Sequence, residues 1–433
     1  MKLHPCNPTD YGCGAWADPY SYAHRCGSTA DGIRCQGGIR MIKCCSNSRS
    51  YRLLRDAEVM IMIRRVIFVL AIWPTLTAMA AGEEPPAATR NVVLVTSDGL
   101  RWQDVFRGAD PALLNQPDGG VADVEAIRRE YWRETPEARR EALMPFLWTV
   151  VARRGQLYGN ADKASPAKVA NGMNLSYPGY NEMFTGSPDP RIVSNDERPN
   201  PNVTVFEWLN RRPGYRGKVS AVGSWDGYPF ILNAERSGLF INAGLVPFDS
   251  PTPTECQVLL NRLMAQSTQT WEGHREDAFT FQIALEHLRR DAPRVLYIGL
   301  NDTDEHAHDG RYDRYLRAAH VADANLRRLW EELQSRPQYR GTTTLIITTD
   351  HGRGDAPVEW KTHGAKVKGS EAIWIGVIGP DTPALGERIG TALVTEGQVA
   401  ATVAALLGED YIAETPAAAR PIAEAIHPKS SGQ

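Results

Sequence analysis

The chain has 433 residues, with 42% hydrophobic and 23% charged content and a formal net charge of -3. That balance describes an ordinary globular protein and gives no electrostatic ground for a nucleic-acid polymer as partner. The length has room for two or three domains of about 150 residues, or for one large α/β domain.

The first sixty residues differ from the rest. Cys6, Cys13, Cys26, Cys35, Cys44 and Cys45, six of the seven cysteines, lie there, a set that a disulfide or metal-binding knob would use. Met60 and Met62, however, are followed by Arg64, Arg65, the apolar run 66–73 and Ala78-Met79-Ala80, the three parts of a signal peptide. Such a signal works only at an amino terminus. Residues 1–59 are therefore expected to be a non-native extension and 60–81 the signal peptide; the alternative is an N-terminal extension with a membrane anchor. The apolar run falls short of a ~20-residue span, so cleavage near Ala80, export to a bacterial periplasm or beyond, and no stable membrane span afterwards are expected. The exported chain keeps only Cys256 and so no intramolecular disulfide.

After a Pro/Ala-rich linker, residues 91–96 (NVVLVT) read as a buried strand ending in Ser97-Asp98-Gly99, either an Asx turn or a strand-end carboxylate aimed at a ligand. Residues 101–135 read as a polar, loop-like insertion, and 136–154 as one amphipathic helix stopped by Gly155. Ser176 falls in a tight Ser-Tyr-Pro-Gly-Tyr turn, as an N-cap or as a hydroxyl offered to a helix terminus or metal. Asn195 lies in a loop. A helix from 203, a strand over 218–223, a Gly/Pro/Asn-rich substrate wall over 224–254 and a helix over 276–290 follow.

The apolar strand 294–300 opens into NDTDEHAHDG, where Asp302 with His306 and Asp304 with His308 form two overlapping acid-to-histidine pairs at i, i+4. A helix over 312–333 carries the next buried stripe. Residues 344–348 read as a central parallel strand, with Asp350 and His351 at its carboxyl end, where ligands bind in open α/β sheets. His363 follows in a second His-Gly turn. A strand over 372–378, a helix over 397–407 and a polar tail close the chain. The alternation implies an α/β fold with a mainly parallel central sheet sandwiched between helices, plus loop and cap insertions, over 91–410, with 411–433 as a tail.

In order, SDG, NLSYPGYNEMFTG, DTDEHAHDG, TTDHGRG and WKTHG resemble the alkaline phosphatase superfamily, above all its nucleotide pyrophosphatase/phosphodiesterase and sulfatase-like branches. The resemblance implies two divalent ions. One would be held by Asp98, Ser176, Asp350 and His351, and the other by Asp304, His308 and His363, with Asp302 and His306 as the fallback pair. Carboxylate and imidazole ligands suit zinc better than manganese, magnesium or iron. It further implies that Ser176 is the nucleophile, that Asn195 donates to a non-bridging oxygen, and that the substrate is a small anionic ester.

Serine stands where the phosphodiesterase branch often has threonine. The arginine that alkaline phosphatases place on a monoester has no evident counterpart, Arg101 and Arg353 being the nearest to the motifs. Sulfatases of this fold need arginine at the fifth position of C/S-x-P-x-R to form formylglycine; here that position is Tyr180. Phosphate esters, and diesters before monoesters, are therefore expected, with Tyr177, Tyr180 and Trp360 as aromatic surface for the leaving group. A sulfatase, a phosphonate hydrolase of the same superfamily, and a non-catalytic metal-stabilised binding protein are the competing readings.

Amino-terminal sequencing of exported protein should find a start within a few residues of Ala81; a product beginning at Met1 would contradict the signal-peptide reading.

Overall fold

A computed structural model describes residues 88–355 and 357–427. The extension 1–59, the signal segment 60–81 and the last six residues of the tail lie outside the described residues. Among the described residues no helix is long and apolar enough to cross a membrane.

Ten strands are present among the described residues: β1 (Asn91–Ser97), β2 (Gln156–Tyr158), β3 (Ala167–Lys168), β4 (Val219–Gly223), β5 (Phe240–Ala243), β6 (Val295–Leu300), β7 (Thr343–Thr348), β8 (Ile375–Ile378), β9 (Gly386–Glu387) and β10 (Val394–Thr395). Eight form one mixed, mostly parallel sheet in the order β5-β4-β6-β1-β7-β8-β2-β9, and β10 pairs with β3 apart from it. Only β8 runs against its neighbours β7 and β2.

Strand β1 has no polar face. Val93 and Val95 enter one hydrophobic core and Val92 and Leu94 the other, because successive side chains point to opposite faces and helices cover both. Its parallel neighbours pair Ser97 with Leu300 and Thr96 with Thr348. In this register three adjacent strands end level with one another, so Asp98, the Asn301–Asp304 segment and Asp350 emerge along a single edge.

Three helices frame that edge: α1 (Ser176–Thr185), α2 (Asp302–His308) and α3 (Tyr312–Ser335). Ser176 is the first residue of α1, with Leu175 at the N-cap position and no side chain capping the helix, rather than part of an isolated turn. Helix α1 lies so close to the exit of β7 that a Cβ on Gly179 would sit 2.3 Å from the Asp350 carbonyl oxygen.

The stretch 101–135 is not loop-like throughout. It holds helices Trp102–Arg107 and Val124–Tyr131, the first burying Trp102, Val105 and Phe106, the second capped by Asp123 accepting from the Ala126 N–H. Nor is 136–154 one helix. The α-helix stops at Leu143, and a π-helical turn covers Leu147–Val151. Pro145 is the cause: it disfavours helical backbone at Met144 (φ -129°, ψ 69°), and the Asp323 carboxylate accepts the freed N–H groups of Phe146 and Leu147 at 2.7 and 2.8 Å. The wall over 224–254 also contains regular structure, the helices Tyr228–Ile231 and Ala234–Ser237 and edge strand β5. Residues 411–427 pack down, with the Tyr411 hydroxyl donating to the Thr185 carbonyl at 3.2 Å and Ile422 and Ala425 buried.

Gly179→Ala should drive α1 off the β7 exit and cost about 1–3 kcal/mol, as overpacking of a filled interior does. Chemical denaturation checks this; an unchanged midpoint would mean that α1 is not wedged against Asp350.

Candidate active site

The β1 exit is held by its neighbours. The Asp98 N–H donates to Leu300 O at 2.8 Å, and Thr303 Oγ1 donates to Asp98 O at 2.6 Å. The fully buried Asp98 carboxylate takes hydrogen bonds at Oδ2 from Tyr180 OH at 3.0 Å and Asn301 Nδ2 at 3.2 Å. Its Oδ1 has no hydrogen-bond partner and lies 3.3 Å from His351 Nε2. Asp350 Oδ1 accepts from the Gly99 N–H at 3.2 Å, while its Oδ2 is likewise unpartnered. Gly99 has φ +59°, and a Cβ there would meet Asp304 Oδ1 at 2.5 Å, so both backbone conformation and space call for glycine.

The histidines are oriented from behind. His351 Nδ1 lies 2.9 Å from Gly352 O and His363 Nδ1 2.9 Å from Asn174 O. A carbonyl can only accept, so each Nδ1 carries the proton and each Nε2 presents a lone pair, the tautomer a metal ligand needs. The two rings stack with centroids 3.7 Å apart. His308 Nε2 sits 3.2 Å from Asp304 Oδ2 and 3.1 Å from His363 Nε2.

Ligand atoms therefore gather in two overlapping groups able to hold an ion, Asp98/Asp304/His351 and Asp304/His308/His363. Buried oxygens without partners on Asp98 and Asp350, and imidazoles fixed with Nε2 inward, fit divalent cations. Ser176 Oγ is 3.4 Å from His351 Nε2. Asn195 Oδ1 accepts from the Tyr177 N–H at 2.9 Å, which places the amide beside the first turn of α1.

Asp302 and His306 point elsewhere. Asp302 Oδ1 accepts from the Asp277 N–H at 3.0 Å, and the His306 ring packs edge-on to Trp271 with centroids 4.8 Å apart. The aromatic surface expected of Tyr177, Tyr180 and Trp360 is absent, because all three are buried. Tyr180 serves Asp98, Tyr177 donates to Arg198 O at 2.6 Å, and Trp360 packs on Tyr312 and Tyr315. Sequence reading missed the donors Asn301 and Thr303, although they belong to the very motif that supplies Asp304.

Arg101 pairs with Asp104 and Asp110, each at 3.2 Å. Arg353 is buried and forms an ion pair with Asp304.

Burial, then the nearby Asp350 and Asp304 charges, holds the Asp98 carboxyl well above the usual range. Burial followed by Asp304 pushes Asp350 up to about 7. Burial also opposes ionisation of Asp304, but the Arg353 charge and then the hydrogen bond with His308 outweigh it and hold this carboxyl well below its ordinary value. His363 is pushed well below the usual imidazole range by burial and by His351, which keeps its lone pair free.

These shifts set a pH dependence. A carboxyl raised in the folded state favours folding below its unfolded pKa near 4 and loses that contribution as pH rises through its folded value. Chelator-stripped protein should therefore lose thermal stability between about pH 4 and about 7 from Asp350, with Asp98 acting in the same sense. Asp304 acts oppositely, and only at lower pH. Melting curves should show a smaller loss in Asp350→Asn; an equal loss would mean that Asp350 does not carry the effect.

A family model described as type I phosphodiesterase / nucleotide pyrophosphatase matches residues 191–373. That span holds Asn195, Asp304, His308, Asp350, His351 and His363, and begins after Asp98 and Ser176. No curated protein matches the chain. Among solved structures, a quadruple mutant of alkaline phosphatase PafA aligns at 12% identity and TM-score 0.51, over 80% of this chain and 100% of that one. Wild-type PafA aligns at 12% and 0.48 over 80% and 100%. A phosphonate monoester hydrolase of Agrobacterium radiobacter aligns at 15% and 0.44 over 74% of each chain. The fold is thus similar to that of alkaline phosphatase PafA, and residues 191–373 match the family model of type I phosphodiesterases and nucleotide pyrophosphatases.

Proposed function

We propose that the protein is an exported two-metal hydrolase of phosphate esters that uses Ser176 as its nucleophile. The observation that carries this reading is that Asp98, Asp304 and His351, and Asp304, His308 and His363, form two overlapping groups beside the Ser176 hydroxyl, with Asp350 Oδ2 3.5 Å from His351 Nε2. Asp98, Ser176, Asp350 and His351 would hold one ion and Asp304, His308 and His363 the other, zinc suiting the donor set best. Bound there, the ions would supply Lewis acidity that lowers the pKa of the serine hydroxyl and offsets charge on the phosphoryl oxygens.

The chain's own groups do the positioning. Ser176 opens α1, whose N–H groups and dipole add positive potential where the phosphoryl group arrives. Asn195 has its Oδ1 engaged by the Tyr177 N–H, which leaves its amide hydrogens to donate to a non-bridging oxygen. Ser176 Oγ gives up its proton, which ends on the leaving alcohol oxygen, and bonds to phosphorus as the bond from phosphorus to that oxygen breaks. Water then attacks the phosphoserine, its oxygen stays on phosphorus, and a proton returns to Ser176 Oγ.

Phosphate is preferred to sulfate because Tyr180, buried and donating to Asp98, stands where formylglycine maturation needs arginine. The preference for diesters rests on the phosphodiesterase match over 191–373 and no longer on exposed aromatics.

Zinc-loaded protein assayed in parallel on aryl phosphate diester, monoester and sulfate should turn over phosphate and leave sulfate nearly untouched. Ser176→Ala should lose at least about 10³-fold in turnover with most metal retained, the scale lost with a covalent nucleophile. Elemental analysis should find about two zinc ions per chain, one fewer in His363→Ala and none fewer in His306→Ala. Faster sulfate turnover, or zinc loss in His306→Ala alone, would contradict the assignment.

A further inference from the structure

Arg353 stands two residues after His351 and is completely buried, yet the two-metal reading gives it no task. Its Nε donates to Gly99 O at 3.2 Å and its Nη2 to Asp304 O at 3.0 Å, and Nη2 also pairs with Asp304 Oδ1. One guanidinium thus ties together the exits of β1, β6 and β7. Among the described residues it is the one lysine or arginine in ionic contact with Asp98, Asp304 or Asp350.

The oxygen it occupies is a shared one. Asp304 belongs to both ion-holding groups, and its Oδ1 lies 3.9 Å from His351 Nε2 and 3.9 Å from His363 Nε2, whereas Oδ2 faces His308. The guanidinium is a delocalised cation with fixed donor geometry. Fixed against Oδ1, it cancels part of the carboxylate repulsion and repels any dication that approaches the same carboxylate. It also leaves Oδ2 as the free oxygen of Asp304 for the His308/His363 side.

Resting on the two-ion reading, we infer that Arg353 is a positioning residue and a resident counter-charge. It holds the carboxylate cluster together when metal is removed, and it weakens the grip on the ion at Asp304, His308 and His363. A purely mechanical tie between the loops predicts the opposite effect of its loss on affinity: a slack Asp304 would bind metal less well.

The test is zinc titration of chelator-stripped wild type, Arg353→Gln and Arg353→Lys against a chromophoric chelator, with thermal midpoints taken before and after loading. In Arg353→Gln the weaker of the two zinc ions should bind about tenfold tighter, because a like charge has left a poorly screened site. The stripped variant should melt below stripped wild type and gain more on loading. Arg353→Lys, which keeps the charge, should keep wild-type zinc affinity. A glutamine variant that folds only with zinc is the extreme form of the expected result. Unchanged or weaker zinc binding in the glutamine variant would overturn the inference. If that variant folds under neither condition, the lysine variant decides, wild-type affinity supporting the inference and altered affinity overturning it. Failure of wild type itself to bind zinc would overturn the two-ion reading beneath it.

Discussion

Three carboxylates share one buried edge of the sheet, and much of the surrounding structure answers that one electrostatic constraint. Asp98 and Asp350 follow the adjacent parallel strands β1 and β7, and Asp304 lies in α2, which continues from β6, in a register that brings the three strand exits level. They cannot move apart without unpairing β1 from β6 or β7, the centre of the fold. Burying like charges together is costly unless cations or donors compensate. The Gly99 N–H, Asn301, Tyr180, three histidines and Arg353 all face these carboxylates, yet Asp98 Oδ1 and Asp350 Oδ2 still lack partners. Buried carboxylate oxygens left without partners beside imidazole nitrogens are what divalent ions would satisfy.

Behind the carboxylates lies a layer of hydroxyls. Tyr228 OH donates to Tyr180 OH at 2.9 Å, Tyr180 donates to Asp98, and Thr96 Oγ1 meets Tyr297 OH at 2.7 Å. The rings of these tyrosines pack edge-to-face with one another and with Phe184 in the core. Each side chain fills apolar volume and delivers its one polar atom to a polar partner. The same layer fixes the ring of Tyr180 in the interior, so a substrate base cannot stack on it.

The sheet and the strand-end acids were legible in the sequence because they rest on local patterns: NVVLVT, RVLYIGL and TTTLIITT are short β-branched runs, each followed by an Asp-bearing turn. The choice between Asp304/His308 and Asp302/His306 was not legible from i, i+4 spacing, which both pairs satisfy; the faces of α2 separate them, one toward His363 and the other toward Asp277 and Trp271. The helix at 102–107 was missed because its buried Trp102, Val105 and Phe106 alternate with Gln103, Asp104 and Arg107 over too few residues to show a period. The break at Met144 could have been read from Pro145 alone. Exposure of Tyr177 and Trp360 could not, since an aromatic residue beside a motif serves core or substrate with equal ease in a linear sequence. The Arg353 contact joins positions 254 residues from Gly99 and 49 from Asp304, and no local pattern encodes it.

Covalent capture tests the central claim most directly. Zinc-loaded protein quenched in acid during turnover of an aryl phosphate diester should yield a peptide containing Ser176 that carries the phosphoryl group with one alcohol still attached, as expected of displacement by the serine oxygen. Turnover with Ser176 found only unmodified, or with formylglycine at position 176, would contradict the account.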